Sequence, residues 1–297
     1  MLNEVTDMEN DEESGFINFE NANSRDTYFT IHNVKAAHEI SKGKGVKIGV
    51  LDHLFGLNKH KNIYAGGIDF VNNPDSLYSI SHHGYWMSCV LKEIAPESFV
   101  YALNIASPDV NKQINAIVNA IGWAIENNLN VLTYSHPIIP KEYRKTIDEA
   151  IDNAIENNIT TTFIHYDYEK NILPFGLFPY SPSKGEYNRE PDINIFHYDY
   201  NGLSIDQYKR FKNLKKPPTS GNEIPFFSFS SMSPVAGGFV ALLKSVNNTL
   251  SPKQIKEILI KTSYKYTVKS QIPFENGECP RVVNIRRALD YLLNNYQ

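Results

Sequence analysis

The stretch VKIGVLD, residues 46–52, gives the strongest single indication of the fold. Its first six residues, VKIGVL (46–51), are a short apolar run flanked by glycine, which is typical of a strand buried inside a sheet, and an aspartate follows them. Further apolar runs follow along the chain, at residues 98–106, 130–135, 159–165 and 193–197. The chain therefore predicts a series of short buried strands.

Helical patterns lie between and after these runs. Apolar side chains recur at spacings of three and four over residues 114–125 and 147–155, which places them on one face of an α-helix. Residues 251–262 and 283–293 predict two closing helices, and residues 166–225 read as loops. Strands that alternate with helices predict an α/β fold of three layers, with a mainly parallel central sheet covered by helices on both faces.

The composition limits the classes of partner. The chain has 297 residues, of which 41% are hydrophobic, enough for a sizeable core, and a formal net charge of −4. No basic stripe indicates nucleic acid, and no run reaches the roughly 18 apolar residues of a membrane span. Residues 1–27 are acidic and predict a mobile tail before one domain over 28–297. Two cysteines and a start unlike a signal peptide favour the cytoplasm.

Three polar residues stand at positions suited to chemistry. Asp52 follows the first strand, His83 opens a helical run, and Ser230 precedes the apolar helix of FSSMSPVAGGFVALLK, residues 229–244. Each has an ordinary explanation: a strand-ending turn, a surface histidine and a helix N-cap. Together they follow one of the chain orders of the serine catalytic triad. No His-Glu-x-x-His motif or cysteine pair predicts a metal site.

With these motifs, residues 30 to about 293 resemble the subtilisin-like serine peptidases. VKIGVLD is similar to the segment that leads to the family's aspartate, SHHGYWMSC (81–89) to its histidine motif, and FSSMSP (229–234) to its serine motif. The resemblance implies a subtilisin-like three-layer fold and an endopeptidase that cleaves a peptide or protein substrate. In that reading Asp52 orients His83, and His83 takes the proton of Ser230. No cofactor is implied, and the family's calcium sites are not located.

The resemblance also implies where a substrate binds. Ser135, His136 and Pro137 follow the strand of residues 130–135, where an extended peptide pairs with the enzyme backbone in this family. Phe229 precedes the nucleophile and is expected to line the same cleft. Gly237 and Gly238 are expected to let another element approach the helix closely.

Several positions depart from the family pattern. His53 replaces a threonine or serine after the aspartate, and Tyr85 and Trp86 replace a threonine and a histidine after His83-Gly84. At the oxyanion position, Asp167 stands where the family has asparagine, and losing a neutral donor there costs about 100- to 1000-fold in rate. The sequence thus leaves two functions open: an active serine endopeptidase, and an inactive relative that acts as a peptide-binding or regulatory protein. A dinucleotide-binding enzyme is disfavoured because no G-x-G-x-x-G follows the first strand.

Overall fold

The computed structural model describes residues 32–135, 139–164, 229–268 and 277–296. The described strands are β1 (Lys47–Asp52), β2 (Tyr64–Asp69), β3 (Phe99–Asn104), β4 (Val131–Tyr134), β5 (Thr160–Phe163), β6 (Tyr264–Val268) and β7 (Gly277–Val282). The described helices are α1 (Val34–Ala37), α2 (His83–Ile94), α3 (Val110–Glu126), α4 (Arg144–Glu156), α5 (Met232–Val246), α6 (Pro252–Lys261) and α7 (Ile285–Asn295). Short helical turns are formed by Asp75–Ser79, Lys141–Tyr143 and Phe229–Ser231. The predicted tail, the strand at 193–197 and the loops at 166–225 lie outside the described residues.

Five strands form a sheet that is parallel throughout, in the order β2-β3-β1-β4-β5. The central strand β1 has β3 on one side and β4 on the other, so the chain passes to opposite sides of β1. Ligands bind at such switch points, outside the carboxyl ends of the strands. The register sets Asp52 beside Asn104 and Asn104 beside Asp69, so three polar residues end neighbouring strands at one edge. The predicted α/β class is confirmed.

The side chains of β1 alternate between two apolar cores on the two faces of the sheet. Ile48 and Val50 belong to the core that α2, α5, α6 and α7 complete. Leu51 belongs to the core on the opposite face, which α3 and α4 cover. Burial on both faces explains why the strand reads as a continuous apolar run.

Helix α5 forms the centre of the first core. Every residue from Met232 to Lys244 is buried. A Cβ atom added at Gly237 would lie 2.5 Å from Thr133 Cγ2 of β4, and one at Gly238 would lie 2.5 Å from Ile94 Cβ of α2. The close approach that the sequence predicted at these two glycines is therefore present, with the sheet on one side and α2 on the other.

Among the described helices, none has both the length and the apolar character needed to cross a bilayer.

Candidate active site

Asp52 and His83 form a hydrogen-bonded pair at the carboxyl edge of the sheet. Asp52 ends β1 with its side chain fully buried, and His83 is the first residue of α2. Nδ1 of His83 lies 2.8 Å from Oδ1 and 2.9 Å from Oδ2 of Asp52. Because an ionised carboxylate only accepts hydrogen bonds, Nδ1 carries the proton and donates it. Nε2 is then the ring nitrogen that carries the lone pair.

The charge of Asp52 also sets the basicity of His83. Burial alone would lower the pKa of His83, but the negative charge of Asp52 and the hydrogen bond to it outweigh burial and raise the pKa above its ordinary value of 6.5. The neighbouring His82 behaves in the opposite way: burial, followed by the positive charges that His83 and His53 can carry, lowers its pKa. Of these two neighbouring histidines, His83 therefore takes up a proton more readily than an ordinary histidine, and His82 less readily.

The backbone fixes the loop that presents His83. The N–H of His82 donates to the carbonyl of Leu54 at 2.7 Å, and the N–H of Gly84 donates to the carbonyl of His53 at 2.7 Å. A Cβ atom at Gly84 would lie 2.5 Å from the His53 carbonyl oxygen, so this approach requires glycine. His83 is therefore held on both sides by the segment that directly follows Asp52.

His53 supplies a second imidazole beside the same carboxylate. Its backbone N–H donates to Asp52 Oδ1 at 2.8 Å, and its ring Nδ1 lies 3.1 Å from the same oxygen. The rings of His53 and His83 stack with centroids 5.5 Å apart and planes inclined by 14°. Within the described residues, Asp52, His53 and His83 form one group in which each residue offers one ligand atom, and these three atoms lie within 4.8 Å of one another, close enough to hold a metal ion.

Ser230 lies in the turn Phe229–Ser231, which leads directly into α5. This turn contacts α2, the helix that begins at His83. Ser230 is half-buried, and its carbonyl accepts a hydrogen bond from Ser135 Oγ at 2.9 Å. The fold therefore brings the turn of the predicted nucleophile and the end of β4 to the same edge of the sheet as Asp52 and His83.

A neutral hydroxyl junction holds α5 against the sheet one turn further on. Ser233 Oγ donates to the carbonyl of Thr162 on β5 at 2.6 Å and accepts from the N–H of Tyr134 on β4 at 3.0 Å. Thr162 Oγ1 returns a bond to the Ser233 carbonyl at 3.1 Å. Because these groups are buried, the bonds fix the height and rotation of α5, and with them the position of the turn that contains Ser230.

The predicted substrate-binding and oxyanion residues are described only in part. Ser135 follows β4 and is 6% exposed. Phe229 begins the turn before α5, and its backbone is described. His136, Pro137 and Asp167 lie outside the described residues, so their roles stay predictions.

The bulky residues after His83 pack against histidines. The ring of Tyr85 stacks on His60 at 3.7 Å between centroids, and Trp86 lies 4.0 Å from the ring of His82. His60 Nε2 also lies 2.9 Å from Ser81 Oγ, just before the histidine pair. That Tyr85 and Trp86 narrow a substrate cleft stays a prediction.

The described residues define an α/β protein with a parallel sheet and a hydrogen-bonded aspartate–histidine pair at the carboxyl edge of that sheet. A comparison with models of known protein families finds no match. Subtilisin of Bacillus pumilus is 26% identical over 125 residues, which cover 38% of this chain and 46% of that protein. Subtilisin E of Bacillus subtilis strain 168 is also 26% identical over 125 residues, which cover 33% of its length. The match thus spans less than half the length of these relatives.

Solved structures of proteases resemble this chain over most of its length. The MycP3 protease of the type VII (ESX-3) secretion system has a TM-score of 0.58 at 13% identity, over 88% of this chain and 87% of that one. A lanthipeptide protease has a TM-score of 0.56 at 16% identity, over 89% and 95%. At such identities the structural likeness concerns the fold. Together with the sequence matches to subtilisins, this likeness supports a distant relationship to the subtilisin-like proteases.

Two features of this site were not expected from the sequence. His53 was noted there as a departure from the family, but no pattern indicated that its ring turns toward Asp52. The polar residues Asn104 and Asp69, which end the neighbouring strands, were also not singled out. Asn104 Nδ2 donates to Asp69 Oδ1 at 2.9 Å, and Asn104 Oδ1 accepts from Ser76 Oγ at 2.9 Å. Ser76 Oγ in turn accepts the N–H of Leu54 at 3.0 Å, so this network supports the loop after Asp52.

Proposed function

We propose that this protein is a serine peptidase that hydrolyses peptide bonds with Asp52, His83 and Ser230. The observation that carries the proposal is the hydrogen bond between the buried Asp52 and His83 at the switch point of a parallel sheet, with the turn of Ser230 packed against the helix that His83 begins. The subtilisin relatives and the protease neighbours support peptide or protein substrates.

The chemistry follows from the tautomer of His83. Nε2 accepts the proton of the Ser230 hydroxyl as the oxygen attacks the carbonyl carbon of the peptide, and the imidazolium that forms is stabilised by Asp52. His83 then gives this proton to the leaving amine as the C–N bond breaks. A water molecule hydrolyses the acyl-enzyme by the same route. The N–H groups that begin α5 and the positive end of its dipole favour the negative charge on the carbonyl oxygen.

An inactive peptide-binding protein is the second candidate. It is favoured by Asp167 at the oxyanion position, where an ionised carboxylate would repel the developing negative charge. It is also favoured by the bulky Tyr85 and Trp86, which replace small or polar residues of the family.

A fluorophosphonate probe separates the two candidates, because it labels only an activated serine. The full-length protein should be labelled, and mass spectrometry should place the adduct on Ser230. Ser230→Ala should abolish labelling and lower peptidase activity by about 10⁶-fold, the usual loss when this nucleophile is removed. Ser231→Ala removes the adjacent hydroxyl, which is 4% exposed, and should retain labelling. If the folded wild-type protein is not labelled, the inactive peptide-binding candidate is supported. If Ser231→Ala loses labelling while Ser230→Ala keeps it, the nucleophile is Ser231 and not Ser230.

A further inference from the structure

The position of His53 gives the candidate active site a second chemical possibility. Two imidazoles and one carboxylate meet at Asp52 Oδ1, which lies 2.8 Å from His83 Nδ1 and 3.1 Å from His53 Nδ1. The two rings are stacked nearly parallel, and each directs its Nδ1 to this same oxygen. A threonine or serine at residue 53 could not supply this second nitrogen.

Two histidines and one carboxylate form a ligand set that Zn²⁺ binds in proteins. Zinc–nitrogen and zinc–oxygen bonds of roughly 2.0 to 2.2 Å place tetrahedral ligands about 3.3 Å apart. The present separations of 2.8 and 3.1 Å from the two nitrogens to Asp52 Oδ1 are a few tenths of an ångström shorter. A small outward rotation of the rings would therefore bring these two separations to those of a bound ion, and the distance between the two nitrogens already lies within 4.8 Å.

The protonation states and charges of these three side chains are also compatible with a bound Zn²⁺ ion. Each imidazole can bind zinc through Nδ1 as a neutral ring when its proton moves to Nε2, so no additional base is required. The buried Asp52 contributes one negative charge against the two positive charges of the ion. The side chains of His53 and His83 are 31% and 16% exposed, so solvent, which would supply the fourth ligand, reaches both residues.

We propose that Asp52, His53 and His83 form a reversible binding site for Zn²⁺. If the protein is a serine peptidase as proposed above, the bound ion takes both members of the Asp52–His83 pair out of the catalytic arrangement. Zinc would then act as an inhibitor, with His53 as the residue that confers sensitivity.

The test uses tag-free protein and Co²⁺, whose visible absorption is intense only in a tetrahedral site. The wild type should bind one Co²⁺ with this spectrum, and Zn²⁺ should displace it. His53→Gln and, independently, Asp52→Asn should weaken Co²⁺ binding by at least about tenfold. His60→Gln is the matched control, because His60 bonds Ser81 and stacks on Tyr85 outside the group, and it should bind like the wild type. Melting curves without metal establish that each variant is folded.

A second measurement separates metal binding from inhibition. Zinc should reduce fluorophosphonate labelling of the wild type and of His60→Gln, while His53→Gln should be labelled equally with and without zinc. The metal site is overturned if the wild type gives no tetrahedral cobalt spectrum, or if His53→Gln and Asp52→Asn bind as tightly as the wild type. If the protein binds cobalt as expected but is never labelled, the metal site stands and the peptidase proposal fails.

Discussion

Two buried polar junctions join helices to the sheet, and they differ in charge. At the carboxyl end of β1, the ionised Asp52 binds His83 at the start of α2. Beside β4 and β5, neutral hydroxyl and backbone groups bind Ser233 in the first turn of α5. The first junction contains a titratable base, and the second contains none.

This difference in charge predicts different roles for the two junctions. The charged junction can change protonation state during a reaction, so altering it should change rate and pH dependence more than folding. The neutral junction satisfies backbone groups that cannot reach water, so altering it should mainly change the free energy of unfolding. Each of the following variants tests one side of this distinction.

The largest effect is expected from Asp52→Asn. The variant should lower kcat/KM by about 10⁴-fold, because the amide no longer holds the tautomer of His83 or stabilises its protonated form. The wild type should reach half-maximal kcat/KM at a pH above 6.5, since the raised pKa of His83 means that the base loses its proton only there. In Asp52→Asn burial remains without the charge, so the midpoint should fall. A pH–rate profile of both proteins measures the two midpoints. An unmoved midpoint would mean that Asp52 does not set the pKa of His83.

The next effect concerns Lys244, an ionisable group at the far end of α5. Its Nζ donates to the carbonyls of Asn158 and Leu250 at 2.8 and 3.1 Å, and burial lowers its pKa from 10.5 to about 8. Above pH 8 and below 10.5, the unfolded chain holds a proton that the folded protein lacks. The contribution of Lys244 to the free energy of unfolding should therefore rise with pH in this window, by up to about 1.4 kcal/mol per pH unit.

Lys244→Met removes the titrating group and should abolish this rise. Lys253→Met is the matched control, because the side chain of Lys253 is 86% exposed, and it should keep the wild-type slope. Urea unfolding from about pH 7 to 9.5 avoids the titration of the tyrosines. Equal slopes in all three proteins would mean that Lys244 is charged throughout the range.

The smallest effect is expected from Ser233→Ala at the neutral junction. The substitution removes the partner of the Tyr134 N–H and of the Thr162 carbonyl, which should lower the free energy of unfolding by about 1–3 kcal/mol. Ser263→Ala is the control, because that hydroxyl bonds the Ile260 carbonyl in its own preceding turn and should cost less. The pH midpoint of kcat/KM should not move in Ser233→Ala. A shifted midpoint would show that the two junctions are coupled.

The sequence predicted the buried strands of the parallel sheet well and the half-exposed strand β2 poorly. β1, β3, β4 and β5 fall within the predicted apolar runs, because strands buried on both faces read as continuous hydrophobic segments. β2 was missed because its sequence YAGGID is short in apolar residues and lies half-exposed at the edge of the sheet. Gly67, in this strand, lies where a Cβ atom would meet the Ala102 carbonyl at 2.9 Å, a contact no local pattern reports.

The residues of the candidate site also divide into those that the sequence predicted and those that it did not. Asp52, His83 and Ser230 stood out because each opens or closes a regular element with a recognisable motif. The contact of His53 with Asp52 depends on how the chain turns after β1, where Leu54 adopts a left-handed conformation with φ of 59°. Leucine rarely adopts this conformation, so its sequence gives no warning of the turn.

The burial of α5 has a consequence for the order in which the molecule becomes reactive. Asp52 and His83 are translated early, whereas the helix at the heart of the first core, and the serine at its start, come from the last quarter of the chain. A nascent polypeptide that has not yet emerged through residue 246 lacks this helix, so the proposed peptidase should be inactive until that residue has left the ribosome. Stalled chains ending before and after α5, probed for labelling, would reveal when proteolytic competence begins.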